Sequence, residues 1–227
     1  MKLTYFGHSC FLVESGGTRL LFDPFITPNP LAAGVDITKI QADVILISHG
    51  HADHIADAVA LAKQTGAKVV ANWEIADWLG LQGVSNTHPM NYGGTVALPG
   101  GTAKMVAAIH SSSLPDGTYG GNPAGFVVKM GEESFYYAGD TALTLDMNLI
   151  AEEFALRFAV LPIGDTFTMG AKDAVKAAEL CGAKKVVGVH YNTFPPIQID
   201  TAAAQAAFAN DGLELLLPAI GATIEVG

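Results

Sequence analysis

The chain opens with short apolar runs separated by turn residues, the pattern of strands joined by tight connections. Residues 2–6 read as one strand, and 11–14 and 18–22 flank Ser15-Gly16-Gly17 as a hairpin. Asp23-Pro24 closes that hairpin and opens a loop containing Pro28 and Pro30. The next run, Asp43-Val-Ile-Leu-Ile-Ser48, is β-branched and unbroken, as expected of a strand buried on both faces of a sheet. Residues 55–65 have helix-forming composition and stop at Gly66, a C-terminal helix signal. A strand over 68–71 and a helix over 73–79 follow, then an antiparallel pair, 95–98 and 102–109, around Pro99-Gly100-Gly101.

The second part of the chain restates this outline. Residues 125–130 and 134–138 flank Gly131-Glu132-Glu133 as a hairpin, followed by a strand over 158–162, a helix over 171–181 and a strand over 185–189. Two hairpin–strand–helix halves, about 1–110 and 111–227, imply an α/β protein with β-rich layers inside and helices outside. The expected fold is a four-layered αβ/βα sandwich, a single domain over 1–227. No low-complexity stretch or linker interrupts it.

Composition narrows the function. Half of the 227 residues are hydrophobic and 15% are charged, enough to build a sizeable core. The net charge is −10, and Arg19 and Arg157 are the only arginines, so no basic stripe exists for long nucleic acids. The apolar runs are too short or interrupted to span a bilayer. Residues 1–8 lack the apolar stretch of a leader, and Cys10 and Cys181 are in no paired spacing. Buried free thiols in a reducing cytoplasm are expected, with a small molecule as the partner. Exposed strand edges leave self-association into a homo-oligomer open.

The candidate chemistry sits at the end of the 43–48 run, in Ser48-His49-Gly50-His51-Ala52-Asp53-His54. Imidazoles and carboxylates are the usual ligands of zinc, iron or manganese, and packing does not explain their crowding at a strand end. His49 and His51 are two apart and project to the same side of an extended backbone, so together they can grip one ion. A turn into the following helix lets Asp53 and His54 face a second ion. His110, Asp140 and His190 each follow a predicted strand and are further ligand candidates, with Asp140, in Ala-Gly-Asp-Thr141, a natural bridging carboxylate. His8 lies just past the first strand. It is either a structural residue capping a turn or a contact for substrate or leaving group. Asp23, at the hairpin end, is placed to accept a hydrogen bond from a ligand imidazole. Ser111 and Thr166 either line the pocket or are ordinary loop residues, and Tyr119 lies in a glycine-rich loop where it could face substrate. His88, in Asn86-Thr-His-Pro89, follows no strand and reads as a solvated loop residue.

In this order the motifs resemble the metallo-β-lactamase superfamily of binuclear metal hydrolases, over essentially the full length. His49-x-His51-x-Asp53-His54 is similar to its first motif, and His110, Asp140 and His190 match its later single-residue motifs. The resemblance implies that His49, His51 and His110 hold one metal, and Asp53, His54 and His190 the other, with Asp140 bridging. Gly7-His-Ser9, Leu21-Phe-Asp-Pro24, Ala138-Gly-Asp-Thr141 and His190-Tyr-Asn-Thr-Phe194 resemble a bacterial and archaeal group of small hydrolases similar to ascorbate-6-phosphate lactonase. The function implied is hydrolysis of a small ester, lactone or phosphodiester by a metal-bridging hydroxide. Asp53 would orient that hydroxide, and His8 or a metal would stabilise the leaving group. Two divalent ions are the expected cofactors: zinc first, with manganese, iron, cobalt or nickel fitting the same donors. The alternatives on this fold are a mononuclear iron dioxygenase and a nuclease of the same superfamily.

Overall fold

The computed structural model describes residues 1–227. In the first sheet β1 (Lys2–Gly7), β2 (Cys10–Ser15) and β3 (Thr18–Phe22) run antiparallel. The strands β4 (Val44–Leu46), β5 (Lys68–Asn72) and β6 (Thr87–Met90) then continue parallel to β3. In the second sheet β7 (Thr95–Leu98), β8 (Gly101–Ala107), β9 (Ala124–Met130) and β10 (Glu133–Tyr137) are antiparallel. There β11 (Leu156–Pro162), β12 (Lys185–Val189) and β13 (Glu214–Leu216) extend the sheet in parallel. The last strand, β14 (Thr223–Glu225), crosses back to pair antiparallel with β1. Both seven-stranded sheets therefore follow one plan, with β14-β1-β2-β3-β4-β5-β6 matching β7-β8-β9-β10-β11-β12-β13 strand for strand.

The period-2 alternation of side chains divides each strand between two cores. Val44, Leu46 and Val70 face inward and meet Phe126, Phe135 and Phe158 of the other sheet. Ile45, Ile47 and Val69 face outward beneath α1 (Ala52–Ile55), α2 (Ala58–Thr65) and α3 (Trp73–Leu81), through Ile55, Leu61, Ile75 and Leu79. On the far side α4 (Met147–Glu153), α5 (Ala171–Cys181) and α6 (Thr201–Asn210) cover Tyr136, Ala159 and Leu161 with Ile150, Ala174, Ala178 and Phe208. The layers are helix, sheet, sheet, helix, the expected α/β sandwich. Between the sheets Phe11 stacks on Phe22 at 4.5 Å and Phe135 on Phe158 at 4.9 Å, while Tyr137 sits edge-on to Phe11 at 5.0 Å. No helix is long and apolar enough to cross a membrane.

Four expectations are corrected. The helix over 55–65 is two helices, because Asp57 leaves the helical path (φ −101) and its carboxylate accepts the amides of Ile26 and Thr27 at 2.6 and 2.9 Å. Tertiary demand for an acceptor outweighs local propensity there. The strand over 102–109 ends at Ala107, since Ile109 donates its amide to the Thr141 hydroxyl instead of to a neighbouring strand. His88 is not in a loop: it lies in β6, paired with Val70 at the edge of the first sheet. The second sheet begins at Thr95 rather than after residue 110.

Phe135 is fully buried, whereas Leu81 at the end of α3 is 79% exposed. Phe135→Ala should therefore lower the unfolding free energy by about 3–5 kcal/mol. Leu81→Ala should change it by no more than about 0.5 kcal/mol, both read by denaturant titration.

Candidate metal centre

All the ligand-type residues lie at the C-terminal ends of strands along one edge of the sandwich, where the backbone leaves each sheet and side chains converge. His8 follows β1, Asp23 follows β3, the 48–54 segment follows β4, His110 follows β8, Asp140 follows β10 and His190 follows β12. Gly139 (φ +64) makes the approach of Asp140 possible. A Cβ there would lie 2.4 Å from the Ala124 carbonyl oxygen and 3.0 Å from the Ser48 Cβ.

Asp140 is the centre of the cluster. Its Oδ2 lies 3.0 Å from His190 Nε2, 3.3 Å from His54 Nε2, 3.6 Å from His110 Nε2 and 3.9 Å from His49 Nε2. Around it the donor atoms fall into neighbouring groups whose members lie within 4.8 Å of one another. One contains His49, His51 and His110, another His8, Asp53, His54 and His190, and a third brings Asp23 against His49 and His54.

Hydrogen bonds fix which nitrogen each ring turns inward. Ser48 Oγ donates to Asp23 Oδ2, so it accepts from His49 Nδ1 at 3.0 Å, leaving Nε2 bare and 3.0 Å from His51 Nδ1. His54 Nδ1 donates to Asp23 Oδ2 at 2.7 Å, leaving its Nε2 towards Asp140. Asp23 itself is fully buried at φ +39 and also accepts the Ser48 amide at 2.7 Å and the Tyr137 hydroxyl at 2.6 Å.

Burial and neighbouring carboxylates pull these groups in opposite directions. Burial holds His49 well below the ordinary imidazole pKa, and it lowers His51 and His110 as well, so their nitrogens carry free lone pairs at neutral pH. Burial also opposes charge on His54, but the carboxylates of Asp140 and Asp23 outweigh it and raise its pKa well above the ordinary value. Burial pushes Asp53 and Asp140 upward. The hydrogen bond from His8 prevails at Asp53, and the charges of His54 and His190 prevail at Asp140, leaving both carboxyls ionised.

The donor set fits divalent ions. His54 Nε2, Asp140 Oδ1 and His190 Nδ1 are buried with no hydrogen-bond partner, polar atoms left uncompensated beside the carboxylate that a bound cation would share. Nitrogen and carboxylate donors without thiolate suit zinc, manganese, iron, cobalt or nickel.

Other candidates stand further out. Ser111 Oγ is 3.5 Å from His51 Nε2. Tyr119 is 63% exposed and donates to Asn122 Oδ1 at 2.9 Å. Thr166 spends its hydroxyl on the Pro196 carbonyl at 2.7 Å, which makes it a brace between two loops, not a pocket donor. His8 is 1% exposed, with Nε2 3.1 Å from Asp53 Oδ2 and Nδ1 3.0 Å from Thr193 Oγ1, so its ring is held inside the cluster against Asp53. Sequence reasoning missed Tyr137, Ser48 and Thr193, because a buried hydroxyl gives no pattern of its own. Ser112, next to Ser111, braces the motif by accepting the Gly50 amide at 3.0 Å.

With this geometry, the fold and motif order place the chain in the beta-lactamase superfamily, whose domain model matches residues 2–190. Within it, the chain belongs to the UPF0173 metal-dependent hydrolases. It is 46% identical to the Flavobacterium johnsoniae member over 226 residues, covering 100% of both chains. It is 51% identical to a Thermus thermophilus member over 214 residues, 94% of each. Among solved structures it is similar to Igni18, described as a novel metallo hydrolase from the archaeon Ignicoccus hospitalis. There the TM-score is 0.88 at 36% identity, over 98% of this chain and 97% of that one.

Asp23→Asn keeps the shape but turns one acceptor into a donor facing Ser48, His54 and Tyr137. Affinity for divalent metal should fall by about 10–100-fold, measured by competition with a chromophoric chelator.

Proposed function

We propose that the chain is a binuclear metal-dependent hydrolase acting on a small ester, lactone or phosphodiester. The observation that carries this reading is Asp140 Oδ2, within 3.9 Å of four imidazole nitrogens from three different strand ends, two of them in each of two donor groups. His49, His51 and His110 would hold one ion, and Asp53, His54 and His190 the other. Two such ions lower the pKa of water so that a nucleophile exists at neutral pH, and they polarise a carbonyl or phosphoryl oxygen.

The chain's own residues supply position. Asp23 locks the His54 ring, and through Ser48 the His49 ring, so that each presents Nε2. Asp53, ionised and part-exposed, would orient an attacking water. Ser111 Oγ, 3.5 Å from His51 Nε2, offers a hydroxyl to a substrate oxygen.

The surroundings narrow the substrate. The loops 23–36, 47–57, 108–123, 138–146, 163–170 and 190–200 contain no lysine or arginine. Ile109, Tyr119 and Phe167 on those loops are each more than half exposed. A phosphorylated substrate would find no cationic side chain there, which supports an uncharged ester or lactone over a phosphodiester.

Protein purified without chelator should carry two divalent ions per chain and hydrolyse members of a lactone, phosphodiester and thioester panel, lactones best. His51→Ala, folded by circular dichroism, should lose metal and turnover together. Full activity in that variant would sink the reading, and one iron per chain without hydrolysis would favour the dioxygenase alternative.

A further inference from the structure

We propose that His8 is itself a ligand of the second ion, so that this position is held by His8, Asp53, His54 and His190. The inference rests on the two-ion reading above. Its first support is distance: the donor atoms of these four residues lie within 4.8 Å of one another, with His8 Nε2 3.1 Å from Asp53 Oδ2.

The second support is the repeat in the fold. The two sheets match strand for strand, which pairs β1 with β8 and β3 with β10. In the second sheet the β8 end supplies His110 three residues beyond the strand, and the β10 end supplies Asp140 three residues beyond. In the first sheet the equivalent ends supply His8 and Asp23, each one residue beyond. His8 thus occupies, for the Asp53 group, the topological place that His110 holds for the His49 group.

The third support is backbone geometry. His8 and His190 both have φ +55, and the His190 amide donates to the His8 carbonyl at 2.9 Å. Left-handed backbone is costly for a residue with a side chain and persists where the surroundings over-determine it. Here it brings the two imidazoles to a centroid separation of 4.3 Å. Phe25 and Phe194 close the ring edge-on at 5.5 and 5.4 Å, and Thr193 holds Nδ1, so Nε2 has only the Asp53 side to face. The two ion positions are then unequal, the second having one more protein donor than the first.

The test uses the full chain stripped of metal and titrated with cobalt(II), followed by calorimetry and visible absorption. The wild type should take up two ions. In His8→Ala the first ion should bind as before, and the second should weaken by more than about 100-fold, beyond what loss of an outer hydrogen-bond partner costs. His8→Gln keeps a donor for Asp53 but no imidazole, and it should resemble His8→Ala. Native affinity for the second ion in either variant overturns the assignment and leaves the two-ion reading standing. A wild type that binds one ion removes both. Should the variants fail to fold, the cobalt-loaded wild type decides by NMR. A paramagnetically shifted ring N–H from His8, beside those of the other ligand histidines, is the expected result, and an unshifted His8 overturns the proposal.

Discussion

A single buried carboxylate ties the two sheets to the chemistry. Asp23 is fully buried and accepts from Ser48 and His54 on the β4 side and from Tyr137 at the end of β10. A buried acceptor so placed would be costly without donors, and four converge on it. Those hydrogen bonds do two jobs at once. They join the first sheet to the second at the functional edge, and they decide which ring nitrogen of His49 and His54 faces Asp140.

The surrounding architecture delivers side chains to that edge without disturbing the core. Phe11, Phe22, Phe135, Tyr137 and Phe158 fill the space between the sheets. The strands leave this aromatic layer just before the polar cluster, so ligand and packing residues occupy successive positions. Phe22 is core and Asp23 is site; Tyr137 packs its ring on Phe11 while its hydroxyl reaches Asp23. Two copies of one strand plan facing each other explain why donors arrive from both halves, and why Asp140 stands between two groups of them.

Most of this edge was legible in the chain because strand ends and metal-binding side chains each leave a local mark. A β-branched run followed by His-x-His-x-Asp-His announces both, and Asp23, His110, Asp140 and His190 follow further apolar runs. What was not legible depended on partners distant in sequence. Asp57 breaks an otherwise good helix because the amides of Ile26 and Thr27 need an acceptor. Thr166 reads like a pocket hydroxyl until the Pro196 carbonyl claims it. His88 falls into an edge strand because Val70 pairs with it across the sheet, a contact that Asn86-Thr-His-Pro89 does not foreshadow.

The order of strands, the apolar periodicity and the identity of the donors belong to the sequence alone, because each follows from spacing along the chain. The tautomers of His49 and His54, the central place of Asp140 and the burial of His8 against Asp53 belong to the tertiary structure. Each of these depends on groups dozens of residues apart reaching hydrogen-bond distance, and only the packing of the two sheets sets such distances.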